Sequence, residues 1–581
     1  MPGYLPLLDD VTRDRKTIAA FGGYNHSPQI ADNEFDGMKN MSSSYYPRIS
    51  TRSKRGIFTE IANPYGLAAK SNLFWVDGST LYHNGVAVEG LTLAENAKQM
   101  VSMGGYLLIW PDKKYYNTAD QTYGNLEASI TIDTQVICTL TKADGAAYDT
   151  PTVSDTEPAA PEDGDLWLDT SVSPHALKQF SDVTDTWVPV VTTYVKISAT
   201  NIGSLFNQGD GVTISGISEA SLNGDIILQA VDDDYIVVIG VIDEAVTQDG
   251  GVTVTRSVPA MDFVTENNNR VFGCSSANHE IYACKLGDPF NWKVYAGLST
   301  DAWAATIGSD GDFTGACTYN GNVYFFKEDL MHPVYGNIPA NFQYDTVPCR
   351  GVEKGSERSL VICNERLFYK SRSGVCMFDG SAPIEASAAL GDVRYRYAVA
   401  GAVGNKVYMS MKGPDDNYNL FVLDTRQGRW HREDDTHALY FATHEGELFY
   451  VDADTNMLMT VGGRLSVHAD GVTYDAVNGA AEEDFAWFIE TGDIGIVMPD
   501  NKFISNIEIK MFVETAQEIH VGFQYDGAST WDERVALAFT AMRTVKLPII
   551  PRRCEYMRMK ISGTGAAQII AITKIMEMGD N

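Results

Sequence analysis

Hydrophobic and polar positions alternate along this chain in short runs, and helical spacing is nearly absent; Leu91 to Met100 is the best short helical candidate. One pattern recurs: a strand rich in aromatic and β-branched residues, a polar turn, then a second such strand. It reads NLFWVDGSTLYHNG from Asn72, GYLLIWPDKKYYN from Gly105, NRVFGCSSANHEIYAC from Asn269 and GNVYFFKEDLMHPVYG from Gly321. It continues as ERLFYKSRSGVCMFDG from Glu365, NKVYMSMKGPDDNYNLFVLD from Asn405 and GELFYVDADTNMLMTV from Gly446. An apolar stretch usually precedes each unit, giving three strands, with a fourth expected in the connecting segment. Successive starts lie 33, 164, 52, 44, 40 and 41 residues apart. Most of these match the period of propeller blades, about 40–50 residues. A blade cannot bury both faces alone, so it stacks against neighbours around a ring. The pattern predicts an all-β chain: a β-propeller of six or seven blades, with an inserted β module and a C-terminal β-sandwich.

The 164-residue interval sets the domain layout. It leaves roughly 120 residues beyond one blade, which predicts an insert of one or two small β modules at 127–258. The insert opens on the Thr-rich strand ITIDTQVICTLT and passes through an acidic loop to strands around Trp167 and Trp187. Propeller is expected on either side, at 57–126 and 259–475. From 476 to 581 the period-two alternation of Ile507, Ile509, Met511 and Val513, of Ile519, Val521, Phe523 and Tyr525, and of Met557, Met559 and Ile561 predicts a sandwich with one wet face per sheet. Residues 1–56 hold many turn formers and few long apolar runs, and are expected to form an extended arm along the propeller or a neighbouring subunit.

Charge narrows the function classes. With 76 acidic against 44 basic residues, a formal net of -32, the surface as a whole is a poor match for nucleic-acid phosphates. Such a chain can still border DNA that must slide past without sticking. The eight cysteines show no two-residue spacing of a zinc or redox motif, so free thiols in a reducing cytoplasm are expected. Met1 to Val11 lacks the pattern of a signal peptide. The longest apolar run, Tyr235 to Ile242, is too short to span a bilayer, so no membrane insertion is expected.

The N-terminal stretch carries a family resemblance. The run Glu34-Phe35-Asp36-Gly37-Met38-Lys39-Asn40-Met41-Ser42-Ser43-Ser44-Tyr45-Tyr46-Pro47 is followed by Arg48 and by Arg52-Ser53-Lys54-Arg55-Gly56. It resembles the opening of phage tail proteins in which an Asn-Leu-Ser-Ser-Asp-Tyr-Tyr-Pro-like segment precedes a propeller. Glu490-Thr491-Gly492-Asp493-Ile494-Gly495 and Pro551-Arg552-Arg553-Cys554-Glu555-Tyr556-Met557-Arg558 are similar to the ends of the same group. Gly164-Asp165-Leu166-Trp167-Leu168-Asp169-Thr170 resembles small modules that recur in phage structural proteins. The functional class is the tail hub or nozzle (stabilization protein) of short-tailed bacteriophages. The resemblance implies a non-enzymatic subunit of a six-fold ring below the portal and adaptor. That ring closes the DNA exit channel, carries fibres or spikes, and is assembled in the host cytoplasm into the virion tail.

The chemistry visible in the sequence fits that class without proving it. No phosphate loop, His-Glu-x-x-His or nucleophile elbow occurs, and no cofactor is expected. Asp232-Asp233-Asp234, Asp310-Gly311-Asp312, Asp415-Asp416 and Asp452-Ala453-Asp454 are read as polar turns rather than calcium loops. His431, His437 and His444 have no usual ligand spacing. Tyr525 to Trp531 resembles one imperfect sialidase Asp-box turn, outside any blade, and is read as structural. Arg48, Arg52, Lys54 and Arg55 are interface candidates, able to dock an acidic face of a neighbouring subunit; DNA phosphate and a solvated arm are the other readings. The alternative function is a receptor-binding tail protein, with Trp167, Trp187 and Trp531 stacking on host glycans. A glycosidase propeller is a third class, with no motif behind it.

Overall fold

The computed structural model describes residues 12–463, 482–497, 502–515, 517–538, 540, 542–548 and 552–578; the expected boundary at 475/476, residues Met1 to Val11, and Pro551 lie outside these. The chain forms two compact units, one of residues 1–98, 325–332 and 346–581, the other of 99–324 and 333–345. The fold is all-β, a β-propeller with an inserted β module and a C-terminal β-sandwich. Among the described residues the helical turns are short 3-10 segments such as Ala220–Leu222 and Ala388–Leu390.

Each of the seven strand-turn-strand units falls in its own antiparallel sheet. In the first unit of the fold lie the first blade (Pro64–Lys70 to Val86–Thr92), the fifth (Val361–Cys363 to Ile384–Glu385) and the sixth (Arg396–Val403 to Arg429–Arg432). In the other lie the second (Gln99–Met103 to Tyr123–Asn125) and the third (Phe263–Asn267 to Trp303–Thr306). The fourth blade, Gly315–Tyr319 to Gln343–Tyr344, is divided between the two. The seventh blade has a composite origin. Ala438–His444, Glu447–Asp452 and Met457–Thr460 come from late in the chain, and Gly56–Glu60 completes it, with Gly56 opposite Thr460 and Glu60 opposite Met457. Phe58 on that early strand is buried edge-on against Trp75 and Phe449, at 5.9 and 5.7 Å between ring centroids.

The helical candidate Leu91 to Met100 is strand at both ends. Leu91 and Leu93 point inward at strand spacing, and Gln99 is drawn into a ladder opposite Trp110. Cross-strand pairing overrides a short run of good helix formers.

The insert has a two-sheet core. Ala128–Ile132, Val252–Arg256, Gly211–Ser215 and Gly224–Ile227 make one sheet; Ala230–Asp232, Tyr235–Ile239, Tyr194–Ser198, Gln135–Thr141 and Val246–Asp249 make the other. Val136, Val195, Ile197, Val212, Ile236 and Val254 are buried together. A separate four-stranded sheet, spanning Thr152–Ser154 to Thr186–Pro189, interrupts the second sheet between its strands Gln135–Thr141 and Tyr194–Ser198. ITIDTQVICTLT is not one strand: it breaks at Asp133 and feeds both sheets.

Residues 12–51 are woven into sheets of their own chain. Thr12–Ile18 pairs with Ala567–Met578, and Tyr24 lies opposite Trp430 of the sixth blade. Phe35 lies opposite Thr491. One ten-stranded sheet therefore runs from the sixth blade through Gly23–Tyr24 and Glu34–Lys39 into Ala486–Thr491, Met557–Thr564, Gln517–Tyr525 and Asp532–Ala538. A six-stranded sheet around Lys502–Val513 and Ala567–Met578 faces it. Ile507, Ile509, Met511, Ile519, Val521, Phe523, Met557 and Met559 fill the space between, the positions the alternation singles out.

Candidate functional site

The N-terminal motif sits at the joint between the sixth blade, the seventh blade and the sandwich. Asn40, in the left-handed region at φ 57, receives the backbone N–H of Arg52 at 3.0 Å and donates its own N–H to the Glu433 carbonyl. Arg52 is buried, with 4% of its side chain exposed. Its Nη1 and Nη2 donate to the two Glu482 carboxylate oxygens, each at 2.6 Å, and its guanidinium covers the Phe485 ring at 4.1 Å. Arg55, 2% exposed, donates from Nη2 to Glu433 Oε2 and to Asp434 Oδ2, both at 2.9 Å, over the Tyr450 ring at 5.3 Å.

Charge and burial compete inside this cluster. Burial pushes the Glu433 carboxyl up, and the Arg55 charge only partly offsets it. Burial also opposes ionisation of Asp434, but Arg55 and Arg52 outweigh it and hold that carboxyl well below the usual carboxylate range. Glu482 is likewise lowered: burial raises it, and the hydrogen bonds and charge of Arg52 overcome this.

The serine run is fastened beside it. Lys406 Nζ of the sixth blade donates to Ser42 Oγ at 2.8 Å and Ser44 Oγ at 3.0 Å, and Ser43 Oγ donates to Asp424 Oδ2 at 2.6 Å. Farther back, Asp36 pairs with Arg558, whose guanidinium also reaches Glu490 at 3.3 Å and Asp493 at 3.4 Å. The three separated segments that carry the resemblance thus meet in one ion network.

The other singled-out residues fall as follows. Arg48 lies near the surface, with Nη1 3.3 Å from Gln568 Oε1, and half-exposed Lys54 pairs with Asp484 at 2.7 Å. Only these two of the four basic candidates present charge outward; Arg52 and Arg55 satisfy buried carboxylates of their own chain, which corrects the expectation that the cluster as a whole faces a neighbour. Trp167 and Trp187 are brought together, edge-on at 5.6 Å, with Phe180 5.4 Å from Trp187. Trp167 is buried, its Nε1 donates to the Ser154 carbonyl at 3.0 Å, and Lys178 Nζ covers its ring at 4.4 Å, so its face is already occupied. Trp187 is partly exposed, and Trp531 is a half-buried ring against Gly522 in the sandwich.

The histidines do not converge. His431 is buried beside Lys406 and pushed down to about 3, chiefly by burial. His437 stacks on Tyr418 at 3.5 Å, and His444 lies against Phe449. Among the described residues no group of three His, Cys, Asp or Glu side chains could hold a metal ion. All eight cysteines are free thiols, and burial pushes Cys284 and Cys317 up to about 12. Asp526 Oδ1 accepts the backbone N–H groups of Glu555 and Tyr556, at 2.8 and 3.2 Å, which gives that turn a structural task.

Sequence reasoning missed a second buried polar cluster, at the root of the insert. Asp210 Oδ2 accepts from Arg256 Nη1 at 2.5 Å and Asp210 Oδ1 from Asn291 Nδ2 at 2.8 Å, while Asn291 Oδ1 accepts the Gly211 N–H at 2.9 Å. Asn291 belongs to the third blade's long loop, so the insert is fastened to that blade by side chains as well as by its two chain crossings. No local pattern announces such a triad, whose members lie 46 and 81 residues apart in pairs.

Comparison with known proteins adds little beyond this. No family model and no curated protein matches the chain. Among solved structures it is similar to an exo-beta-1,3-galactanase from Phanerochaete chrysosporium at 10% identity, covering 52% of this chain and 92% of that one, TM-score 0.20. It is similar to Chaetomium thermophilum Raptor at 9% identity, over 71% of this chain and 29% of that one, TM-score 0.29. It is also similar to the extracellular domain of a putative hybrid two-component system from B. thetaiotaomicron, at 8% identity over 91% and 95%, TM-score 0.21. The propeller itself rests on the strand pairing described above.

Proposed function

We propose that the chain is a non-enzymatic structural subunit of a bacteriophage tail. In this reading it forms a ring-shaped hub or nozzle that continues the DNA exit channel below the portal and adaptor and helps retain and release the genome. Six copies make the ring, fibres or spikes attach to it, and the genome passes without sequence-specific contact. The subunit is assembled in the host cytoplasm and resides in the virion tail.

One observation supports the reading most. The segments that resemble the family lie at 34–56, 490–495 and 552–558, hundreds of residues apart, yet Asp36, Glu490, Asp493 and Arg558 contact one another, and Arg52 and Arg55 hold the same joint. A resemblance spread over distant segments is more coherent when those segments form one structural feature. The net charge of -32 adds a second support, since an acidic lining gives no counterion-release reward for DNA adhesion.

The test is the oligomeric state of the purified protein, by mass photometry with negative-stain imaging, alone and mixed with its phage's portal and adaptor. A six-fold ring with a central hole, or assembly only on the adaptor, is the expected result. A stable trimer or monomer that ignores the adaptor would replace this reading with the receptor-binding one.

A further inference from the structure

In the fifth blade, the Arg372–Ser373 turn between Arg366–Ser371 and Gly374–Phe378 faces the stretch Gly391–Tyr395 that leads to the next blade. Between them lies a cavity of about 220 Å³. A water occupies about 30 Å³ of liquid, so the space suits several waters or one sugar-sized ring. Leu390, Tyr395 and Met411 give it an apolar floor, and the Ser373 and Ser387 side chains are on its wall.

The charges around it do not balance locally. Lys370 is buried in the wall, its Nζ 3.0 Å from Glu353 Oε2, so one carboxylate answers one ammonium. Arg394 lines the same cavity, is exposed to it and to solvent, and has no hydrogen-bond or ion-pair partner among the described residues. Burial lowers the Lys370 pKa, Glu353 offsets part of this, and the Arg394 charge pushes it lower still, the sign of two cations acting on each other. The nearby acids do not answer Arg394: Glu385 is drawn to Arg350 at 3.0 Å, and Asp392 makes no ion pair with it. In a chain with 76 acidic residues, an arginine left without a carboxylate beside a buried lysine is a site short of one anion. A planar guanidinium matches a carboxylate in two-point geometry, and the apolar floor suits the face of a ring.

We propose that this cavity binds a carboxylated sugar, with Arg394 pairing with the carboxylate and the ring packed on Tyr395 and Leu390. The proposal stands apart from the tail reading and holds for any oligomeric state. Its test is titration of the full chain with glucuronate by calorimetry and ligand-observed NMR. Glucose serves as the neutral counterpart, and a hexaglutamate peptide as the other source of carboxylate. Glucuronate is expected to bind at least tenfold more tightly than glucose. Arg394→Ala should weaken it at least tenfold while leaving the unfolding midpoint unchanged, and Arg394→Lys should fall between. Equal binding of glucose, preference for the peptide, absence of glucuronate binding, or indifference to Arg394→Ala would each overturn it.

Discussion

Arg55 shows how a basic run in sequence can end as internal structure. Its guanidinium answers two carboxylates, Glu433 and Asp434, of which Glu433 is only 3% exposed. Removing one partner of a buried pair leaves an uncompensated charge, a loss of about 3–5 kcal/mol. Arg55→Ala should therefore lower the urea midpoint by that amount with the slope unchanged. Lys54→Ala, at a half-exposed pair, should cost less than about 1 kcal/mol. The same cluster gives a pH dependence with a definite sign. Asp434 and Glu482 are depressed in the folded chain, so their stabilisation is present above the ordinary carboxylate values and lost as pH falls through and below about 4. Glu433 is raised, so its unfavourable contribution at neutral pH is relieved as pH falls. Two depressed groups against one raised group predict a shallow profile down to about pH 5 and a steep loss below about 4. In Arg55→Ala the Asp434 depression weakens and the relief of Glu433 dominates, so the midpoint should rise on going from pH 7 to 5. Urea unfolding at four pH values checks both profiles.

At the scale of elements, what the sequence discloses follows the range of the interaction. The seven blades were legible because each is a hairpin whose strands and turn lie within about twenty residues, and residues such as Asn269 and Asn364 mark the turns by taking positive φ. The sandwich was legible from the alternation of Ile507 to Val513. The strand that completes the seventh blade was not, because Gly56–Glu60 meets Met457–Thr460 across some four hundred residues, and neither strand carries a mark of its partner. Tyr24 opposite Trp430 is hidden for the same reason. So is the Asp210–Arg256–Asn291 fastening, where a single buried polar triad decides whether the insert is held or swings. Asp210→Ala strands the Arg256 guanidinium, which is 9% exposed, and should cost about 3–5 kcal/mol locally. Because the insert keeps its own core around Val195 and Ile236, the expected outcome is loosening rather than collapse. Limited proteolysis should show new cleavage at the crossings near residues 126–128 and 257–262, with the 127–258 fragment surviving as a resistant core. Unchanged digestion would mean that the two chain crossings alone hold the insert.

For the whole molecule, the decisive quantity is the charge. A net of -32 on a chain with 44 cationic side chains leaves few of them free, since Arg52, Arg55, Arg256, Lys370 and Arg558 are engaged with carboxylates of their own chain. Each phosphate contact needs a cation that can release a counterion, and the gain is largest at low salt. Non-specific DNA binding at physiological salt commonly sits at a Kd of 10⁻⁴ to 10⁻⁶ M for proteins that have such cations. The expectation here is weaker than that even in about 50 mM salt, where the electrostatic term is strongest. A fluorescently labelled duplex titrated with the assembled protein should show no anisotropy change at 50 mM salt. A salt-sensitive rise would reveal a basic track assembled from residues such as Arg48 and Lys54, and the channel would then grip DNA rather than let it pass. The proposed ring depends on the first outcome, because a genome held for release through a long channel moves only if the wall offers it no counterion-release reward.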